Sequence, residues 1–290
     1  MARIRRLILA GVAGAAGLTV FACGKERGSA PRLTLRYHPP AGASYHYTIE
    51  QHNAARVESG PLAQVPEQLF AIHMYFRQTV RGPVEGGIGV TIRFDSTTIQ
   101  SSMIPPGSIG GALDGLRGLT GTVVYDERMN VVRADFRPVA GLPPQIMDQL
   151  ANRIKGMAFP LPEQPVGVGD SWTSETDLPL GEIVTASGPL KARTRLTVKD
   201  INAGGPDTTV LVAVETTFPG GPVTVTSEGV QQTLTVSGSL AGEQLFSITR
   251  GAAVHSSMGG KMLAGMSGGP QGKMDLSLRQ VMTLQLDEAK

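Results

Sequence analysis

Three groupings in this sequence have residue types that could do chemistry. The first is Gly169-Asp170-Ser171. A serine hydroxyl is a useful nucleophile only when a neighbouring base takes its proton. The partner pattern, an Asp three residues before a late histidine, is missing, because Ala252 stands three residues before His255. The triplet therefore reads as a turn entering a strand. The second is Gly272-Lys273, at the end of a Gly-rich stretch. A phosphate-cradling loop needs Gly five residues before that glycine and Ser or Thr after the lysine; Ser267 and Met274 occupy those positions. The stretch reads as a flexible hairpin loop. The third is metal ligation. His46, Glu50 and His52 would share one strand face, with His73 on a neighbouring strand. His46 and His52 would stand about 20 Å apart along it, too far to share an ion held at about 2 Å. Met258, Met262 and Met266, with His255 and Met274 nearby, offer thioethers suited to Cu(I). The same spacing puts all three on one strand face as apolar lining. No catalytic set is complete, so the expectation is no enzyme, no metal site and no cofactor.

Cys23 is the only cysteine among the 290 residues. A basic start (Arg3, Arg5, Arg6) and an apolar Gly/Ala-rich stretch, Leu7 to Phe21, precede it, as in a secretory signal peptide. That stretch is too short for a comfortable membrane span. The run Val20-Phe21-Ala22-Cys23 resembles the lipobox of bacterial lipoproteins. The resemblance implies a signal peptide over 1–22, palmitate-like acyl chains on Cys23, and a lipid anchor on the exported side of a membrane. Gly24 after the cysteine points to the outer membrane, facing the periplasm, in a cell that has one. Arg5-Arg6 has some likeness to a twin-arginine signal, but ordinary export is expected. Residues 23–32 are small and polar, as suits a flexible tether.

Charge narrows the partners. Three of the 26 basic residues leave with the signal, against 24 acidic residues in the whole chain, so the mature balance is about −1. A nucleic-acid partner, which calls for a clustered basic surface, is not expected. No cysteine is left to pair once Cys23 is modified, so packing and hydrogen bonds must hold the fold.

The elements that would position any site are strands. Phe70, Ile72, Met74, Phe76 and Val80 alternate with polar residues, as do Ile88, Val90, Ile92 and Phe94, and this period of two marks half-buried strands. Met274, Leu276, Leu278, Met282, Leu284 and Leu286 form the cleanest face, on a strand of about 43 Å at about 3.3 Å per residue. Strands of that length belong to twisted, curved sheets. Helical periodicity is confined to Pro144–Lys155 and, more weakly, Ile109–Leu119.

Two halves of the chain resemble each other. Gly42-Ala43-Ser44-Tyr45 matches Gly169-Asp170-Ser171-Trp172, Thr79-Val80 matches Thr197-Val198, and Gly121 with Tyr125 matches Gly242 with Phe246. The expected architecture is mainly β: a long-stranded curved antiparallel sheet, a half-barrel, built from duplicated units at 33–140 and 141–290 with one or two short helices.

The segment from Phe159-Pro160-Leu161-Pro162 to Gly169-Asp170-Ser171-Trp172, with the lipobox and the duplicated units, resembles an uncharacterised bacterial lipoprotein family that brings no assigned activity. In architecture the chain is similar to lipoprotein carriers of the LolA and LppX type, a likeness of fold alone. That likeness implies a β-cup holding a lipid or other hydrophobic ligand, lined by Phe70, Ile72, Met74, Phe76, Ile92, Phe94, Met282 and Leu284. The alternative is a structural or interaction lipoprotein with a filled core and no ligand.

Overall fold

The alternating runs become strands, and the strands form one sheet. The structure, a computed structural model, describes residues 32–102, 116–137, 151, 160–178, 185–186, 190–227, 230–269 and 272–289. Cys23 with its leader, the first helix candidate apart from residue 151, and residues 109–115 of the second lie outside the described residues. In chain order the strands are β1 (Ser44–Ser59), β2 (Gln68–Val84), β3 (Gly87–Ser101), β4 (Thr120–Tyr125), β5 (Val131–Phe136), β6 (Ser171–Leu178), β7 (Thr185–Ala186), β8 (Leu190–Asn202), β9 (Thr209–Ser227), β10 (Val230–Ser247), β11 (Ala252–Gly269) and β12 (Gly272–Ala289). Eleven of them follow one antiparallel path, β5-β4-β3-β2-β1-β12-β11-β10-β9-β8-β6, and β7 pairs with β9. The path stays open, with β5 and β6 as its two edges.

The duplication reappears in the hydrogen bonds. Gly42 N donates to Val80 O and Val80 N to Ala43 O; Gly169 N donates to Val198 O and Val198 N to Asp170 O, all at 2.9 Å. The β2–β3 ladder slips just after Val80, and the β8–β9 ladder just after Val198. The β4–β5 register shifts at Val124/Tyr125, and the β10–β11 register at Leu245/Phe246. The turns that follow hold left-handed residues at matching places, Met129 (φ 63°) and Gly251 (φ 58°). Both units run in the same order along the path. A displacement along one continuous sheet therefore relates them, and β12 is the added strand joining β11 to β1.

The Gly-rich stretch before Lys273, expected as a flexible hairpin loop, continues strand β11 as far as Gly269, and β11 is paired on both sides with β10 and β12. Its glycines serve close approach. A Cβ on Gly242 would fall on the Ser257 carbonyl, one on Gly260 on that of Ser239, and one on Gly238 on that of Lys261. All three lie on one face of the β10–β11 pair, so the ladder curls towards that face.

One end of the sheet is filled. The segment 32–40 crosses it, pairing Leu33 with Val166 and donating Tyr37 N to Glu127 O at 2.8 Å. Arg36 donates to the carbonyls of Pro162 and Glu163, and the Trp172 indole to Pro160 O at 2.7 Å. Asp170 accepts from Gly167 N and pairs with Arg32. The 160–172 segment is thus a strap that ties the base together. Beneath it Leu35, Tyr37, Val80, Val90, Leu196 and Phe246 are fully buried.

Candidate functional site

Register decides which side chains share a face. β1 brings Tyr47 opposite Phe76 and Leu286, Ile49 opposite Met74 and Leu284, and Gln51 opposite Ile72 and Met282. β3 adds Phe94 opposite Phe76, Ile92 opposite Gln78, and Ile99 opposite Ile72. The eight residues expected to form a ligand face, Phe70, Ile72, Met74, Phe76, Ile92, Phe94, Met282 and Leu284, therefore project from β2, β3 and β12 to the side that β1 shares through Tyr47, Ile49 and Gln51. Met258, Met262 and Met266 continue that side on β11, opposite Met282, Leu278 and Met274. Beyond them come Leu240, Val214, Leu196 and Trp172. In the regular ladders of all eleven strands, no Asp, Glu, Lys, Arg or His occupies this inner face.

The inner face changes character along the strands. At the base it is packed: Ile92 and Phe94 are each 5% exposed and belong to the solid core. The Tyr47 ring stacks on Phe76 at 5.2 Å, and Phe94 lies 6.2 Å from both Phe76 and Phe136. Tyr45 donates its hydroxyl to Arg250 O at 2.7 Å and Tyr47 to Ala253 O at 3.2 Å. These bonds run from β1 to the β10–β11 turn and its flank, so side chains at the base reach across the curve of the sheet. Burial raises the Tyr37 and Tyr47 hydroxyls well above the ordinary tyrosine range, so both stay neutral, Tyr47 as a donor and Tyr37 accepting from the Gln78 amide at 3.0 Å. Away from the base, Phe70, Ile72, Met74, Met262, Met282 and Leu284 are half-buried. Fully covering a side chain of this size stabilises by about 1.5–3 kcal/mol, so each leaves part of that energy unused.

Two buried hydroxyls on this face stand out. Among the described residues, Thr97 Oγ1 and Ser256 Oγ are buried without a hydrogen-bond partner. Such an orphan costs about 1–3 kcal/mol. The other buried hydroxyls are satisfied: Thr194 bonds Thr216 at 2.9 Å, Ser247 donates to Asp207, and Ser277 donates to Glu58. Sequence alternation carried from Phe94 would point Ser96 inward, but the β2–β3 register shift there turns Thr97 inward instead.

The remaining candidates for chemistry fall elsewhere. Ser171 accepts a long 3.5 Å bond from Arg195, and Asp170 is engaged in the strap. His46, Glu50, His52, His73 and His255 all lie on the outer face. His73 Nδ1 is 3.5 Å from Glu50 Oε1, and the His52 and His73 rings meet edge-on at 5.9 Å. His255 bonds Gln285 at 2.9 Å, on the side opposite the methionines, so the two do not form one ligand set. Among the described residues no group of three acidic, histidine or cysteine side chains is placed to hold a metal. A recess of about 630 Å³ crosses β12, β1, β2 and β3 near Gln280, Asn53, Phe70 and Ser101. Its exposed apolar walls, Leu69 and Val281, belong to the outer face.

Comparison with known proteins adds a fold likeness. No protein-family model matches the chain, and no curated protein sequence does. A solved structure described as "lipid-protein interactions in lipovitellin" is similar at 11% identity and a TM-score of 0.50. The match takes in 87% of this chain and 26% of that one, so this chain spans about a quarter of its neighbour's length. The likeness is one of fold alone.

Proposed function

We propose that this protein is an exported, lipid-anchored envelope protein without catalytic activity, which holds a lipid or other amphiphile against the inner face of its sheet. The observation that carries this reading is the uncharged inner face, which continues past the filled base onto half-buried Phe70, Ile72, Met282 and Met262. A sheet serving only as one wall of a solid core has no use for apolar side chains beyond the region it can fill. The fold likeness to a lipid-associated protein supports the same reading. Anchorage rests on Cys23 and its lipobox, and two acyl chains are enough for stable membrane attachment. The near-zero mature charge argues against a nucleic-acid partner.

The tight packing of Ile92 and Phe94 favours a second reading, a structural lipoprotein with no ligand. Lipid extraction of the purified protein followed by mass spectrometry separates the two. Stoichiometric lipid is expected from protein made as Cys23→Ser, which removes the anchor's own acyl chains from the count. A lipid-free extract from a well-folded Cys23→Ser protein would leave the structural reading standing.

A further inference from the structure

Resting on the lipid-holding reading and deepening it, we infer that the ligand's polar group binds a carboxamide belt, Gln51, Asn53 and Gln280, halfway along the open face, and that this group both donates and accepts hydrogen bonds. One row of the inner face is mostly polar. On one side of the curl, Ser101 pairs with Phe70, Phe70 with Asn53, and Asn53 with Gln280. Through Gly260 and Leu240 the same row reaches Thr216, which pairs with Thr194, and Thr194 with Ser174. Polar side chains therefore recur at one height from β3 to β6. Next to that row lie Ile72, Met282 and Met258 towards the base and Ala55, Leu278 and Met262 outward. Six residues, or about 20 Å, separate Asn53 from Tyr47 at the packed base, and again from Ser59 at the end of β1.

The two ends of the row are in different states. Thr194 and Thr216 are buried and satisfy each other at 2.9 Å. Asn53 and Gln280 are half-buried and directly opposite each other on β1 and β12, where cross-strand Cβ atoms stand about 5 Å apart. Gln51, two residues along β1, donates its amide Nε2 to Asn53 Oδ1 at 3.1 Å. The three carboxamides thus span about 7 Å, within reach of one polar group. Each offers two N–H donors and an acceptor oxygen, so the single bond between two of them uses a small part of what they present. Water reaches them while the trough is open. Acyl chains laid over Met282, Leu278 and Met262 exclude that water, and a molecule with nothing polar at this height leaves the carboxamides unpaired under an apolar cover. A hydroxyl beside an ester, or an amide, meets both needs; an ionised phosphate only accepts and leaves the carbonyl oxygens facing an anion. The class is thus a partial glyceride or another hydroxyl- or amide-bearing amphiphile, with its polar group at the belt and apolar chain on either side.

The test uses delipidated Cys23→Ser protein and three probes carrying one fluorophore: a diacylglycerol, a phosphatidic acid with the same chains, and a long-chain alkane. The diacylglycerol is expected to be retained about tenfold better than the alkane, the worth of about two net hydrogen bonds. Asn53→Leu with Gln280→Met nearly keeps the side-chain volumes and removes two carboxamides. It is expected to abolish that preference, with thermal stability unchanged or raised. An unchanged preference in the folded double variant overturns the belt but leaves the lipid-holding reading intact. Equal retention of diacylglycerol and alkane before those substitutions does the same. Preference for phosphatidic acid overturns the donor-and-acceptor class. Retention of none of the three, with no co-purifying lipid, overturns the lipid-holding reading and this inference together. Should the double variant unfold, the single Gln280→Met protein gives the readout, with the preference expected to fall about threefold.

Discussion

At one point of the first β-unit Phe76 faces Phe94, with ring centroids 6.2 Å apart. At the equivalent point of the second, Thr194 faces Thr216, with hydroxyls 2.9 Å apart. Four strand positions from the shared Val80/Val198 landmark, the backbone ladder is the same. Burial matches on one member of each pair, Phe94 at 5% exposure and Thr216 at 7%, while Phe76 is half-buried and Thr194 buried. Two chemistries therefore occupy one lattice point. The threonines can stand there because each satisfies the other, whereas a lone hydroxyl would carry a desolvation cost. Backbone hydrogen bonds, bulges and turn glycines carry the repeat, and the side chains on it have diverged into an aromatic floor on one side and a self-paired polar seam on the other.

The largest effect expected comes from charging the aromatic floor. Phe94→Arg buries an unpaired cation, at several kcal/mol, and should abolish cooperative unfolding by circular dichroism. Met282→Arg, on the half-buried part of the same face, should keep its fold and lose bound lipid. A folded Phe94→Arg protein would show that the floor is not a packed core.

Next come the paired glycines of the two units. A Cβ on Gly242 meets the backbone of Ser257, while one on Gly121 meets only the Phe136 ring. Overpacking costs about 1–3 kcal/mol. Gly242→Ala should lie at the upper end and Gly121→Ala at the lower, read in thermal melts at about 2–4 °C per kcal/mol. Equal losses would mean that the curl at β10–β11 relaxes as easily as an aromatic ring shifts.

The smallest effect sharpens the polar seam. Thr194→Val leaves Thr216 unpaired and should cost about 1 kcal/mol, at the low end for an orphaned hydroxyl. Adding Thr216→Val should restore stability towards the wild type in urea titrations. If the two losses simply add, the hydroxyl pair is not coupled as its geometry requires.

Much of this architecture is legible in the residue pattern alone. The alternations of Phe70–Val80, Ile88–Phe94 and Met274–Leu286 each correspond to one strand and one face. The matched Gly42 and Gly169 turns are equivalent down to their hydrogen bonds. The Gly-rich stretch ending at Gly272-Lys273 reads as a loop because glycine lowers strand propensity, a local preference overridden up to Gly269 by pairing with β10 and β12. The split between a packed floor and an open trough is also hidden in the pattern. Phe94 and Phe70 look alike in sequence, and it is the tertiary setting that differs: Phe94 packs between Phe76 and Phe136 at the end of the sheet that the strap 160–172 and the segment 32–40 tie together.

Composition and a local period of two suffice for the leader pattern, the charge balance, the β-class and the face-sharing within each strand. Tertiary structure alone decided that β1 pairs with β12, the far end of the chain. It also decided that a slip beside Phe94 turns Thr97 inward. Parity is a property of one strand, whereas a bulge and a strand order exist only in relation to a partner, and a one-residue slip moves a side chain to the opposite face.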